Sequence, residues 1–139
     1  MGSCGGGVVA MTDKPRLHGV LLVCGGRNFA DRARVFAALD RVAERMDITA
    51  LRHGDAWGAD RLAKAWGVAR GLLVEDRPAA WRTGKGSTAV NRAAGPIRNA
   101  AMLAEGGVVA AVAFPGASGT ADMVARCKAA GVPVWEVAR

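Results

Sequence analysis

An uncharged, apolar run, Val108-Val109-Ala110-Ala111-Val112-Ala113-Phe114, breaks at Pro115 into the turn Gly116-Ala117-Ser118-Gly119-Thr120. The run does not alternate with polar residues, so both of its faces need cover, as in a strand inside a parallel sheet. A helical pattern opens directly after the turn. A strand, a small-residue turn and a helix in that order place the helix N-terminus at the end of the strand. The unpaired N–H groups and the dipole there favour an anion, usually phosphate. Gly116 and Gly119 let a ligand approach the backbone closely. This stretch demands an α/β fold, and it points to a nucleotide-type ligand.

The remaining chain repeats the pattern. Leu17 to Cys24 is the first strand, ended by Gly25-Gly26, with Arg27, Asn28 and Phe29 in the turn. Asp31 begins a helix with Val35, Phe36, Leu39, Val42, Ala43 and Met46 on its inner face. Ile48 to His53 is the second strand, followed by the turn Gly54-Asp55-Ala56-Trp57-Gly58-Ala59-Asp60. The next helix puts Leu62, Ala65, Trp66 and Ala69 inward and stops at Gly71. Leu72 to Glu75 is the third strand. The long segment from Asp76 to Gly95 has no apolar period and reads as a lid or binding loop. A helix starting at Pro96 then turns Ile97, Ala100, Ala101 and Ala104 inward and ends at Gly106-Gly107. After the Val108 strand, a helix uses Val124, Cys127 and Ala130, and Val132 to Val137 forms a fifth strand, at an edge because of Pro133.

Five strands alternating with four helices predict a Rossmann-like, doubly wound parallel sheet of order 3-2-1-4-5 with helices on both faces. Strands one and four are then neighbours at the switch point. Their turns, Gly25–Phe29 and Pro115–Thr120, face each other across the crevice where such sheets bind ligands. Gly54–Asp60 and the start of the Pro96 helix open on the same rim.

At 139 residues the chain has room for one domain, expected over 17–139. Residues 1–16 are Gly-rich and read as a disordered leader, with Met11 as an alternative start. That leader has no signal-peptide h-region, and position 6 is Gly, against a myristoylation pattern. No apolar run reaches the roughly 18–20 residues of a membrane span. Cys4, Cys24 and Cys127 lack metal-like spacing, and Cys24 and Cys127 read as core thiols, so no metal site is expected and a cytoplasmic setting fits. The net charge of +7 is dispersed, which argues for an anionic partner of any size.

Several motifs fail on inspection. Arg27 and Ala30 stand at the second and third glycine positions of a GxGxxG fingerprint, which rejects ordinary NAD-type binding. Gly84-Lys85-Gly86-Ser87-Thr88 is not a P-loop, because position 79 is Ala and Lys85 precedes Gly. Arg98-Asn99 is informative. Arg in a first helical turn opposes the dipole unless an anion offsets it, and guanidinium suits bidentate phosphate recognition. Asp60 alone is an ordinary first-turn residue, and Asp55 and His53 carry weaker signals still. Trp57 and Trp81 flank the rim and suit either stacking on a base or packing.

The ordered set GGRNFAD, HGDAWGAD, PAAW, AAGPIRNAAML and FPGASGTADM, spanning about Leu17 to Val137, resembles the YspA/YpsA-related branch of the SLOG superfamily. Its Rossmann-like domains are related to DNA-processing protein A and to the Lonely guy phosphoribohydrolases. The resemblance implies a nucleotide-derived ligand at the rim and strengthens the case for Asp60 and Arg98. Enzymatic relatives cleave the N-glycosidic bond of nucleoside 5′-monophosphates with an Arg and the Glu of PGGxGTxxE. Arg98 matches that Arg, but Ala117 replaces the second Gly and Met123 stands at the Glu position, with Asp122 beside it. Met cannot handle a proton or stabilise an oxocarbenium ion.

The sequence therefore favours a binding domain that senses or sequesters a phosphorylated nucleotide-like small molecule. Pro115, Gly116, Ser118, Gly119 and Thr120 would cradle phosphate, and Arg98, followed by Asn99, would pair with it. Gly25, Gly26, Arg27 and Asn28 would form the opposite wall. Asp60, with Gly54, Asp55 and Gly58 in its turn, would meet ribose or base. One alternative is a phosphoribohydrolase using Arg98 and Asp60 as catalytic candidates. Another is single-stranded nucleic-acid binding through Arg77, Arg82, Lys85 and Arg92. A homo-oligomer is compatible with either; a membrane partner is not expected.

Overall fold

The structure is a computed structural model, and it describes residues 16–54, 58–79 and 94–138. The described elements alternate strictly: β1 (Leu17–Cys24), α1 (Arg32–Arg45), β2 (Met46–His53), α2 (Ala59–Ala69), β3 (Leu73–Asp76), α3 (Ala94–Ala104), β4 (Val108–Ala113), α4 (Ser118–Ala129) and β5 (Val134–Glu136). All strand pairs are parallel, and the sheet runs β3-β2-β1-β4-β5, the doubly wound order expected from the sequence. The crossover from β1 leads to one side and the crossover from β4 to the other, so β1 and β4 meet at the switch point.

Burial follows the period of two along the central strands. Leu21 and Val23 of β1 join Ala110 and Val112 of β4 in a core against α1 and α2, with Val35, Leu39 and Trp66. Leu22 and Cys24 join Ala111 and Ala113 in a second core against α3 and α4, with Met102, Met123 and Cys127. Both faces of these strands are covered, which is why their sequence is continuously apolar.

Local chemistry sets the helix positions. Asp31 caps α1, its carboxylate accepting from the Arg34 amide at 3.0 Å. Met46, expected on the inner face of α1, is instead the extended C-cap and the first residue of β2, and it is buried. The second strand thus begins two residues before Ile48. Asp40 of α1 accepts from the Trp66 indole at 2.9 Å and from Arg70 at 2.8 Å, clamping α1 to α2. Strand β5 is shorter than expected but does lie at the edge.

Helix phase is where pattern and structure part. In α2 the buried residues are Ala59, Asp60, Ala63, Trp66 and Gly67, whereas Ala69 is exposed and Leu62 and Ala65 only half-buried. In α3, Ala94, Gly95, Asn99 and Met102 are buried, while Ile97, Ala101 and Ala104 face outward, the reverse of the expected face. The helix also starts at Ala94, two residues before Pro96. Apolar residues all round α3 leave periodicity little to choose by. Hydrogen bonds from Asn99 and Arg98 decide the rotation instead. In α4, Met123 and Cys127 are buried and Ala130 is exposed.

Burial pushes both the Cys24 and Cys127 thiols above the ordinary cysteine range, and the Asp60 carboxylate adds to the effect at Cys24. Both are free. Titration with a thiol reagent at pH 8 should therefore count two more reactive thiols in denaturant than in the native protein. Equal counts would contradict the packing.

Candidate functional site

Parallel strands deliver all their C-terminal turns to one edge, and at this edge three turns interlock. The Gly26 amide donates to Pro115 O at 2.9 Å, joining the β1 and β4 turns across the switch point. The Ala59 amide donates to Gly26 O at 3.3 Å, bringing in the start of α2. Gly58 sits at φ +84°, and a Cβ there would lie 2.5 Å from Gly26 O. Only glycine fits.

Above these turns lies a cleft of about 960 Å3. Gly25, Gly26, Arg27 and Asn28 form one wall, and Pro115, Gly116, Ser118, Gly119 and Thr120 another. Gly54, Asp60, Arg98 and Asn99 close the third side. The structure thus brings together at one cleft nearly all the residues singled out in the sequence. Gly58 is not among the lining residues but packs closely on the backbone of Gly26 and Arg27, which are. Asp55, Trp57, Trp81 and residues 80–93, including Arg82, Lys85 and Arg92, lie outside the described residues.

Arg98 is the cation of the cleft's inner side. Its Nη1 donates to Gly54 O at 2.6 Å and to Arg77 O at 3.2 Å, and its Nε donates to Asn99 Oδ1 at 2.9 Å. All three acceptors are neutral. Among the described residues, Arg98 forms no ion pair and its Nη2 makes no hydrogen bond. Burial pulls its pKa below the usual arginine value, while the nearby Asp60 carboxylate pulls it back up. Gly54 is packed beneath the guanidinium so tightly that a Cβ would lie 2.1 Å from Nη1. The Gly54 amide in turn donates to Asp60 Oδ2 at 3.0 Å. Asp60 is only 4% exposed yet lines the cleft.

Asn99 continues the chain of bonds. Its Nδ2 donates to Gly119 O at 3.2 Å and to Asp122 Oδ2 at 3.0 Å, tying α3 to the first two turns of α4. The N-cap of α4 is Ala117, which supplies no side-chain cap, and its first turn holds no acidic residue. By contrast, Asp31 caps α1 and Asp60 stands in the first turn of α2. Of these three helix starts, only α4 meets the cleft without a carboxylate of its own. A Cβ built at Gly119 meets nothing within 4 Å, so its side of the cleft is open.

Other groups are placed away from chemistry in the cleft. Met123 is fully buried in the α3/α4 core, so position 123 faces the sheet, not the cleft. Asp122 is held by Arg126 at 2.9 Å as well as by Asn99, and both keep its carboxyl below the usual range. Arg77, read as a nucleic-acid contact, donates through Nε and Nη2 to Glu105 at 2.8 Å each. His53 is buried, with Nε2 2.5 Å from Asp76 Oδ1, and Asp76 also accepts from Lys64 at 3.0 Å. Sequence reasoning missed Met102 and Cys24 as cleft-lining residues, because both serve the core at the same time. It also missed Arg52, whose position within an apolar strand was the available signal.

Gly54→Ala should expel the Arg98 guanidinium and lower unfolding stability by about 1–3 kcal/mol, the scale of a charged hydrogen bond lost. Chemical denaturation checks the stability, and an unchanged midpoint would contradict the close approach. The lowered Asp122 pKa means that its contribution is complete above the ordinary carboxylate range and is lost as pH falls through the lowered value. Asp122→Asn should therefore cost about 0.5–1 kcal/mol at pH 7 and nothing once the carboxyl is protonated. Denaturation curves at both pH values decide it.

No curated protein matches the chain. A family model, described as the YspA, cpYpsA-related SLOG family, matches residues 20–84. The matched segment carries the β1 turn, Gly54, Gly58 and Asp60, whereas Arg98 and the Pro115–Thr120 turn lie beyond it. The stretch from Val20 to Gly84, which carries most of β1 and all of β2 and β3, is a YspA/cpYpsA-related SLOG family domain.

Proposed function

We propose that the protein binds a phosphorylated nucleotide or nucleotide-derived small molecule in this cleft, as a sensor or sequestering domain. The observation that carries the reading is Arg98, a half-buried cation whose hydrogen-bond acceptors among the described residues are all neutral, with the Asp60 carboxylate near but not bonded to it. Its hydrogen bonds orient it without cancelling its charge, so a phosphate group is the natural partner for the remaining edge of the guanidinium. The open first turn of α4 supplies amide donors and a favourable dipole alongside. A volume of about 960 Å3 accommodates a whole nucleotide, not only an inorganic ion. Asp60, across the cleft from α4's turn in the chain of rim elements, is an acceptor suited to ribose hydroxyls or an exocyclic amine.

Asp60 also keeps a second reading open, a phosphoribohydrolase acting on nucleoside 5′-monophosphates. A buried carboxylate lining the cleft is the specific observation in its favour. Against it, the side chain at position 123 is an apolar one packed into the core. The nucleic-acid reading keeps less support, since Arg77 is engaged with Glu105.

Thermal unfolding of the wild type and of Arg98→Ala, with nucleoside monophosphates, ADP-ribose, cyclic nucleotides, NAD and a short single-stranded oligonucleotide, tests the reading. A ligand at about 100 times its Kd stabilises by roughly 2.7 kcal/mol. One small nucleotide should stabilise the wild type and not the variant. Stabilisation by the oligonucleotide alone, or equal shifts in both proteins, would contradict it. Release of free base from a stabilising monophosphate, abolished in Asp60→Ala, would move the assignment to the hydrolase.

A further inference from the structure

Arg52 is a charged residue with almost no exposure, 4%, in the middle of the fold. It lies on β2, directly opposite Glu75 of β3 in the strand register, and its Nε donates to Glu75 Oε1 at 2.8 Å. Its Nη1 donates to two carbonyls at the C-terminal end of α3, Met102 O at 2.7 Å and Gly106 O at 3.0 Å. Those carbonyls have no intrahelical partner to offer, and a cation suits the negative end of the helix dipole. The group is satisfied, but Arg52 does not itself line the cleft and the binding reading does not use it.

Its geometry connects it to the cleft. Gly54 follows directly on the end of β2, two residues after Arg52, a separation of about 6.6 Å along the extended chain. Arg98 and Met102 are four residues apart on α3, one turn, separated by about 6 Å along the axis. Helix and strand run antiparallel, and the two spacings match. Two rungs result: Arg52 reaches the Met102 carbonyl, and Arg98 reaches the Gly54 carbonyl. Sliding α3 along β2 would break both together.

We propose that Arg52, held by Glu75, is a positioning residue that fixes the axial register of α3 on β2 and thereby sets the reach of Arg98 into the cleft. The consequence for ligand affinity rests on the nucleotide-binding reading; the consequence for the Arg98 side chain does not. A buried ion pair is a poor source of net stability, because desolvation offsets most of the attraction. Its directional donors nevertheless define one position, whereas an apolar side chain would fill the same space and leave α3 free to shift. Met102 packs α3 into the second core, but a flexible apolar side chain resists an axial slide less than a pair of directional hydrogen bonds.

The test is NMR of the arginine Nε–H and tryptophan indole groups in the wild type, Arg52→Lys and the double variant R52M/E75Q. In the wild type the Arg98 Nε–H, bonded to Asn99, should exchange slowly, as should the Trp66 indole bonded to Asp40 on the opposite face. In R52M/E75Q the Arg98 signal should exchange about tenfold faster or more while the Trp66 signal stays protected, the mark of local rather than global opening. Arg52→Lys, which keeps a donor for Met102 O, should restore part of the protection. Titration with AMP should show a Kd raised about tenfold in the double variant, equal to about 1.4 kcal/mol. Unchanged Arg98 exchange, or equal losses at Arg98 and Trp66, would overturn the proposal. Failure of the wild type to bind AMP or any other nucleotide would count against the binding reading only, since the exchange measurement decides the role of Arg52 without a ligand.

Discussion

The peptide unit of Gly54 is the point on which the rim depends. Its carbonyl receives Arg98 from α3 and its amide donates to Asp60 of α2, so one glycine joins helices from opposite faces of the sheet. The absence of a side chain is what lets the guanidinium pack on its backbone. From Arg98 the bonding continues through Asn99 to Gly119 in the first turn of α4 and to Asp122 in its second. A continuous hydrogen-bonded path therefore runs from α2, under the end of β2, along α3, to the start of α4. Such a path sets the shape of the cleft, and under the proposed function that preorganisation would reduce the ordering cost of binding.

The electrostatic layout of the cleft has a direction. Asp31 and Asp60 answer the dipoles of α1 and α2 with carboxylates belonging to those helices. The start of α4 has none, and Arg98 is held near it through Asn99. Under the proposed function, an anionic group belongs at α4 and hydrogen-bond donors belong towards Asp60. A molecule with phosphate at one end and hydroxyls or an amine at the other has that polarity, and a nucleotide is the plainest example.

Much of this was legible in the sequence because it rests on backbone periodicity and on turns. The non-alternating Val108–Phe114 run and the strict strand–helix alternation leave few topologies for a chain of this length. The Gly-rich turns identify which edge of the sheet carries the cleft. Arg98 stood out because a helix starting at Pro96 would put a cation in its first turn, where it is locally unfavourable. The helix in fact starts at Ala94, which moves Arg98 into the second turn, and its place at the cleft comes from its bonds to Gly54 and Asn99. What remained hidden was set by tertiary bonds. The rotation of α3 follows Asn99 and Arg98 rather than its apolar residues, so Ile97 faces outward while Asn99 is buried. Arg52 looked like an ordinary strand residue, because its partners at Glu75, Met102 and Gly106 are distant in sequence. Met102 and Cys24 escaped for a different reason: a residue that packs the core and also lines a cleft has no distinct pattern.

The central claim, that the cleft between the β1 and β4 turns receives a nucleotide through Arg98, is tested most directly by mapping amide and arginine side-chain shifts during a titration with AMP and ADP-ribose. The account predicts saturable changes concentrated at Gly26, Gly54, the Arg98 Nε–H and the Ser118 to Thr120 amides, with α1 residues such as Glu44 and Arg45 unmoved. Changes centred on any other surface, or a spectrum indifferent to every nucleotide at millimolar concentration, would contradict it.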